Sequence, residues 1–200
     1  MAPLALARRS VRDVVDALSR PLIVRHFIRC RLRDENFSRT SAAAFARTGP
    51  FPNIIGAVEG SCMRIQKPAH SGWQYYCRKG FTALNVLAAV DAHGRFVYIN
   101  ANFPGSVHDA SVYSASQVRY AFEEGAVPHG YSFIGDSGFA NGNDVITPIR
   151  NPATRQEVSY NRWHSKMRVI VECTFGTWKR KFAIVKDRIR VNHHCMRSSL

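Results

Sequence analysis

Two hundred residues, 46% of them hydrophobic, are enough for one well-buried core and give no reason to count a second domain, which excludes a disordered or fibrous chain. The formal charge of +14 favours a polyanionic partner, and it is unevenly placed: +6 over residues 1–50, −1 over 51–144 and +9 over 145–200. No apolar run is long enough for a membrane span, the start MAPLALARRS has too short an apolar run for a secretory signal, and Asp13 and Asp16 argue against an organellar transit peptide.

The five cysteines (Cys30, Cys62, Cys77, Cys173, Cys195) are odd in number and lack a CxxC pair, so neither a disulfide framework nor a zinc knuckle is indicated and a reducing compartment fits best. In chain order, VRDVVDALSRPLIVRHFIRCRLR over 11–33 reads as one or two basic helices broken near Pro21. Residues 36–50 read as a loop and a short helix leading through Pro52 into IIGAVEGSCMRI, the first strand. FTALNVLAAVD and RFVYINANF, separated by the turn Asp91-Ala-His-Gly94, form an antiparallel hairpin. HDASVYSASQVRYAFEEG sets Val112, Val118 and Phe122 on one helical face with Gly125 past its end. YSFIGDSGF is a fourth short strand, TPIRNPATRQE a loop, and SYNRWHSKMRVIVECTFGTWKRKFAIV a long helix with Met167, Ile170, Val171, Phe175, Trp178 and Phe182 in helical period.

Three carboxylates interrupt this pattern where a solvated face would not put them. Glu59 lies inside a strand, Asp136 at a strand end, and Glu172 beside Ile170, Val171 and Phe175 in the long helix. Burying a carboxylate is costly unless a cation satisfies it, so a metal site is the economical reading. Oxygen-only ligation suits Mg²⁺ or Mn²⁺, and such a cluster can hold two ions about 4 Å apart for phosphodiester chemistry. Each acid taken alone has a structural alternative as a cap, a turn residue or an ion pair; for Glu172 the partner would be Arg168, one turn earlier, and Asp109 could cap the helix that begins in PGSVHDAS. His108 and His164 have no ligand spacing and read as surface or core residues, and His193 and His194 beside Cys195 are too thin a metal cue to build on.

FPNIIGAVEGS, YYCRKGFTALNVLAAVDAHGRF, NFPGSVHDASVY, IGDSGF, TPIRNP and YNRWHSKMRVIVECTFGTWKRKF, collinear from about Phe51 to Val185, resemble the catalytic domain of PIF/Harbinger transposases and of the Harbinger transposase-derived nuclease. The resemblance implies an α/β, RNase H-like DDE nuclease fold, a mixed central sheet flanked by helices, occupying 51–190 between a basic helical segment over 1–50 and a tail over 191–200. It further implies a divalent cation (Mg²⁺ or Mn²⁺), cutting or joining of DNA, a nuclear location with the cytoplasm as a second site, and a separate Myb/SANT-like DNA-binding partner. Carried over by motif, the acids fall on Glu59, Asp109, Asp136 and Glu172 as metal ligands, with Glu59, Asp136 and Glu172 as the catalytic triad and Asp109 as an additional acid. The 36-residue interval from Asp136 to Glu172 is close to the spacing common in such enzymes.

Two departures from the family set further expectations. The family's Asp-Gly-Thr is here Glu-Gly-Ser, which moves the first carboxylate about one C–C bond outward, and a shift of about 1 Å at a reacting centre costs on the order of a hundredfold in rate. The family also has a longer N-terminal region with helix-turn-helix character and a further C-terminal helix beyond VNHHCMRSSL. A metal-dependent nuclease is therefore one reading, and a catalytically impaired, domesticated DNA- or protein-binding module the other. Arg168, Lys179, Arg180 and Lys181 are read as contacts to the DNA backbone, with a solvated helix face or a nuclear import patch as alternatives for WKRKF.

Overall fold

The computed structural model describes residues 9–10, 13–28, 30–69 and 72–189; His193, His194 and Cys195 lie outside the described residues. The chain is organised around β1, Ile54–Arg64, whose first five residues are buried and whose next four are half-buried. β2, Ala83–Val90, pairs antiparallel with it and is buried along its whole length, as a near-continuous apolar run covered on both faces must be. β3, Phe96–Pro104, completes the antiparallel hairpin, with Gly94 in the turn at φ +70°. β4, Ser132–Ile134, and β5, Val145–Ile146, add on the other side of β1 in parallel, giving the order β3-β2-β1-β4-β5. This is the expected mixed sheet. β5 lies just before the loop TPIRNPATRQE, in residues to which the sequence assigns no element, because two residues are too few to show a period.

Helices cover both faces of the sheet. On one side α3, Asp109–Ser114, and α4, Gln117–Glu123, bury Val112 and Val118 against Ile55, Val58, Leu87 and Phe133. On the other, α5, Arg155–Lys181, sets Met167, Val171 and Phe175 against Ala57, Val86 and Ala88. Phe182, read as part of that apolar face, is instead 49% exposed just past the helix. The single helix expected over 108–125 is divided at Ser116, whose extended backbone and side chain, accepting from the Arg119 N–H at 3.1 Å, start a second helix.

Helix starts account for the remaining differences. The basic stretch is helical over residues 13–18 and again in α1, Pro21–Phe27, with the expected break just before Pro21, which suits the start of the second helix because the first turn has no use for the missing N–H. α2, Glu35–Phe45, is longer than the short helix expected because Asp34 accepts from the N–H groups of Asn36 and Phe37. α5 begins inside TPIRNPATRQE, where Thr154 and Glu157 form a reciprocal capping box, and α6, Ala183–Lys186, follows it. Among the described residues no helix is long and apolar enough to cross a membrane.

The capping box is exposed and anchors the helix that carries Arg168 and Glu172. Replacing Thr154 by Ala is expected to lower stability by about 1 kcal/mol, read as a lower urea midpoint at unchanged slope.

Candidate active site

β4 ends early, and this shapes the site. Ile134 pairs with Ala57, so beyond that point the edge of β1 facing β4 is open until Ile189 bridges to Ile65 at its far end. Two residues further along each of these parallel chains are Glu59 and Asp136, which brings both acids to the same end of the sheet. Asp136 is held in place by its own turn, accepting from the Gly138 N–H at 2.8 Å.

Glu59 is opposite Ala88 in the β1–β2 register and its side chain is only 17% exposed. Arg168 donates to it from one guanidinium nitrogen and to Glu172 from the other, both at 2.5 Å, so one cation bridges the first and last acids. Glu172 does not occupy the half-buried position expected of it: α5 turns Val171 and Phe175 inward and leaves the Glu172 side chain 49% exposed. Burial, and next the negative charge of Asp136, push the Glu59 carboxyl up to about 7; Arg168 opposes the shift, and Asp109 and Glu172 add to it. All four acids therefore act on one titration.

Asp109 is not the cap that the sequence allowed. His108 occupies the cap position of α3 without a side-chain bond, while Asp109 accepts from Asn85 Nδ2 at 2.6 Å. Its carboxylate rests on Gly60, where an added Cβ would stand 2.0 Å from Oδ1, so the glycine after Glu59 makes room for the additional acid. Asp109 and Asp136 line a cleft of about 390 Å³ together with Asn85, Arg78 and Lys79. Among the described residues, no group of three or more His, Cys, Asp and Glu side chains is set to hold a metal ion. The donors nonetheless suit a hard divalent cation, being oxygens throughout, and the buried Oδ1 of Asn85 has no hydrogen-bond partner.

The four basic residues read as one DNA face have separate surroundings. Arg168 is held between two glutamates, and Lys179 donates to Ser61 Oγ at 2.7 Å, its pKa lowered by burial and then by the charge of Lys79. Arg180 donates to Thr177 at 3.2 Å, and Lys181 is exposed. Arg78 and Lys79, which the sequence showed only as part of YYCRKGF, are the cations at the acid cleft. His164 is a buried core residue bonded through Nε2 to the Ile146 carbonyl at 3.2 Å, with its pKa lowered chiefly by burial.

A family model described as DDE superfamily endonuclease matches residues 58–199. The chain belongs to that family. Its sheet flanked by helices is accordingly an RNase H-like fold. The curated protein named "Putative nuclease HARBI1" from Rattus norvegicus is 34% identical over 126 residues, 63% of this chain and 36% of the relative. The protein of the same name from Homo sapiens is 32% identical over 131 residues, 66% of this chain and 37% of its own, and that from Xenopus laevis is 24% identical over 150 residues, 75% and 43%. The Harbinger resemblance of the motifs is thus borne out, and the chain spans well under half the length of these relatives. No solved structure matches it.

The raised Glu59 pKa has a sign that can be measured. The folded chain binds a proton there that the unfolded chain has already lost, so stability falls as pH rises from about 4.5 to about 7. At about 1.4 kcal/mol per pH unit the full loss is roughly 3 kcal/mol. Urea unfolding across this range in chelator-containing buffer is expected to show the fall in the unaltered chain and a flatter profile in Glu59→Gln.

Proposed function

We propose that this chain is the catalytic portion of a Harbinger-type DNA endonuclease, hydrolysing or transferring phosphodiester bonds. The observation that carries the reading is the meeting of Glu59 and Asp136 at the open end of β1, with Glu172 joined to Glu59 through Arg168. Glu59, Asp136 and Glu172, aided by Asp109, are the residues that would hold Mg²⁺ or Mn²⁺. Such an ion, when bound, polarises a phosphoryl oxygen and stabilises charge on the leaving oxygen. With no ion bound the Glu59 carboxyl is held up at about 7, so a cation that takes it as a ligand would displace a proton there. Arg78 and Lys79 at the cleft offset the charge of an incoming phosphate. The reading places the protein in the nucleus, with a Myb/SANT-like partner supplying sequence recognition.

One observation favours a second reading. Arg168 neutralises the two glutamates that a cation would need, as it would in a domesticated DNA- or protein-binding module that has lost catalysis.

A plasmid-nicking assay with Mn²⁺ separates the two. The unaltered chain is expected to nick slowly, Glu59→Asp to nick faster by between about tenfold and a hundredfold, and Asp136→Asn to be inactive while folded. DNA binding without nicking by either the unaltered chain or Glu59→Asp would select the binding module. Duplex affinity is expected to fall by orders of magnitude between about 50 and 200 mM salt, because several phosphate contacts release counterions.

A further inference from the structure

Between β1 and β2 the chain exposes aromatic rings that the core does not use. Trp73, in the 3₁₀ turn Gly72–Tyr75, is 75% exposed, and Tyr76 is 58% exposed. Tyr76 and Phe81 line a groove of about 370 Å³ whose other walls include Arg64, Lys67 and Arg188, with no acid among them. The Arg64 guanidinium lies 4.4 Å from the centroid of the Phe81 ring, so a flat cation stacked on an aromatic face forms part of the groove. None of these three cations has a carboxylate partner among the described residues.

The same short segment faces two ways. Tyr76 and Phe81 belong to the basic groove, whereas Arg78 and Lys79 belong to the acid cleft with Asp109 and Asp136. Gly80, at φ +80°, turns the chain between them. One short hairpin thus supplies side chains to both the groove and the acid cleft.

We propose that this groove binds single-stranded DNA, the unpaired nucleotides beside the position that is cut. Cations alone would serve a duplex equally well, since both forms carry phosphates. The rings decide the choice, because an aromatic side chain stacks on a base only when that base has left its own stack. The choice of DNA rests on the endonuclease reading; the groove itself does not depend on the acids.

The test is fluorescence anisotropy with the full chain in EDTA, using a labelled oligo(dT) of about 12 nucleotides, a length within the range such sites cover, and a hairpin duplex as the second probe. Tyr76→Ala is expected to weaken oligo(dT) binding about tenfold, Tyr76→Phe to match the unaltered chain, and duplex binding to change by less than twofold in both. Arg64→Ala with Lys67→Ala should lower the oligo(dT) salt slope by about 1.4, at about 0.7 per phosphate contact. Tyr76, Arg64 and Lys67 are all exposed, and an unchanged melting temperature verifies that each variant is folded. Undiminished oligo(dT) binding by Tyr76→Ala, an equal loss on both probes, or no oligo(dT) binding by the unaltered chain at low salt would each overturn the proposal. Because cleavage is blocked in EDTA, a chain that binds oligo(dT) but never nicks plasmid leaves the groove standing and removes only the nuclease reading. One that nicks without binding oligo(dT) does the reverse.

Discussion

The acid end of this molecule depends on where a three-residue strand stops. β4 pairs with β1 as far as Ala57 and then ends, so the chain beyond Ile134 is free to turn while β1 continues against β2, its other edge open past Glu59 until Ile189 bridges to Ile65. A longer β4 would have kept the ladder closed and occupied the edge at which Glu59 and Asp136 meet. The stop is built into the sequence as Gly135-Asp136-Ser137-Gly138. Gly135 lies so close to Val145 and Phe139 that a Cβ there would come within 2.9 Å of both, and Asp136 takes the Gly138 N–H for itself instead of leaving it to a neighbouring strand. Close packing and turn formation are thus the same local event.

That meeting of charges has to be compensated, and Arg168 does it. The guanidinium fork satisfies one carboxylate on the sheet and one on the helix, tying α5 to β1 at a half-buried point where unpaired glutamates would repel each other. The compensation does not restore an ordinary carboxylate, because burial, and next the charge of Asp136, still push the Glu59 carboxyl up to about 7 against the pull of Arg168. An acid cluster held short of neutral is a site with capacity for more positive charge. In that respect the local electrostatics agree with the all-oxygen donor set and with the partnerless Oδ1 of Asn85.

Much of this was legible in the residues, and the parts that were not share a cause. β1 to β4 and α5 stand out because each carries a period or an apolar run long enough to read. β5 has two residues and no period, and the break between α3 and α4 depends on a single serine hydroxyl in a stretch otherwise suited to helix. The start of α5 is written in Thr-Arg-Gln-Glu, which has the spacing of a capping box, although the two prolines before it suit a loop. At the site, types and positions of the acids could be taken from the motifs. The exposure of Glu172, the Asn85 bond that frees Asp109 from capping, and the burial of Lys179 against Ser61 depend on what crosses from one element to another, which no local spacing encodes.

The glutamate that stands where the resembling motif has aspartate can be understood through the same bridge. Arg168 leaves α5 and reaches across to β1, and Glu59 meets it with a side chain one methylene longer than the family's aspartate. An aspartate on that strand would leave its carboxylate about one C–C bond nearer the backbone and correspondingly further from the guanidinium. The longer residue therefore favours the ion pair between sheet and helix. Cohesion between sheet and helix thus makes a direct claim on the same carboxylate that the proposed cation would use.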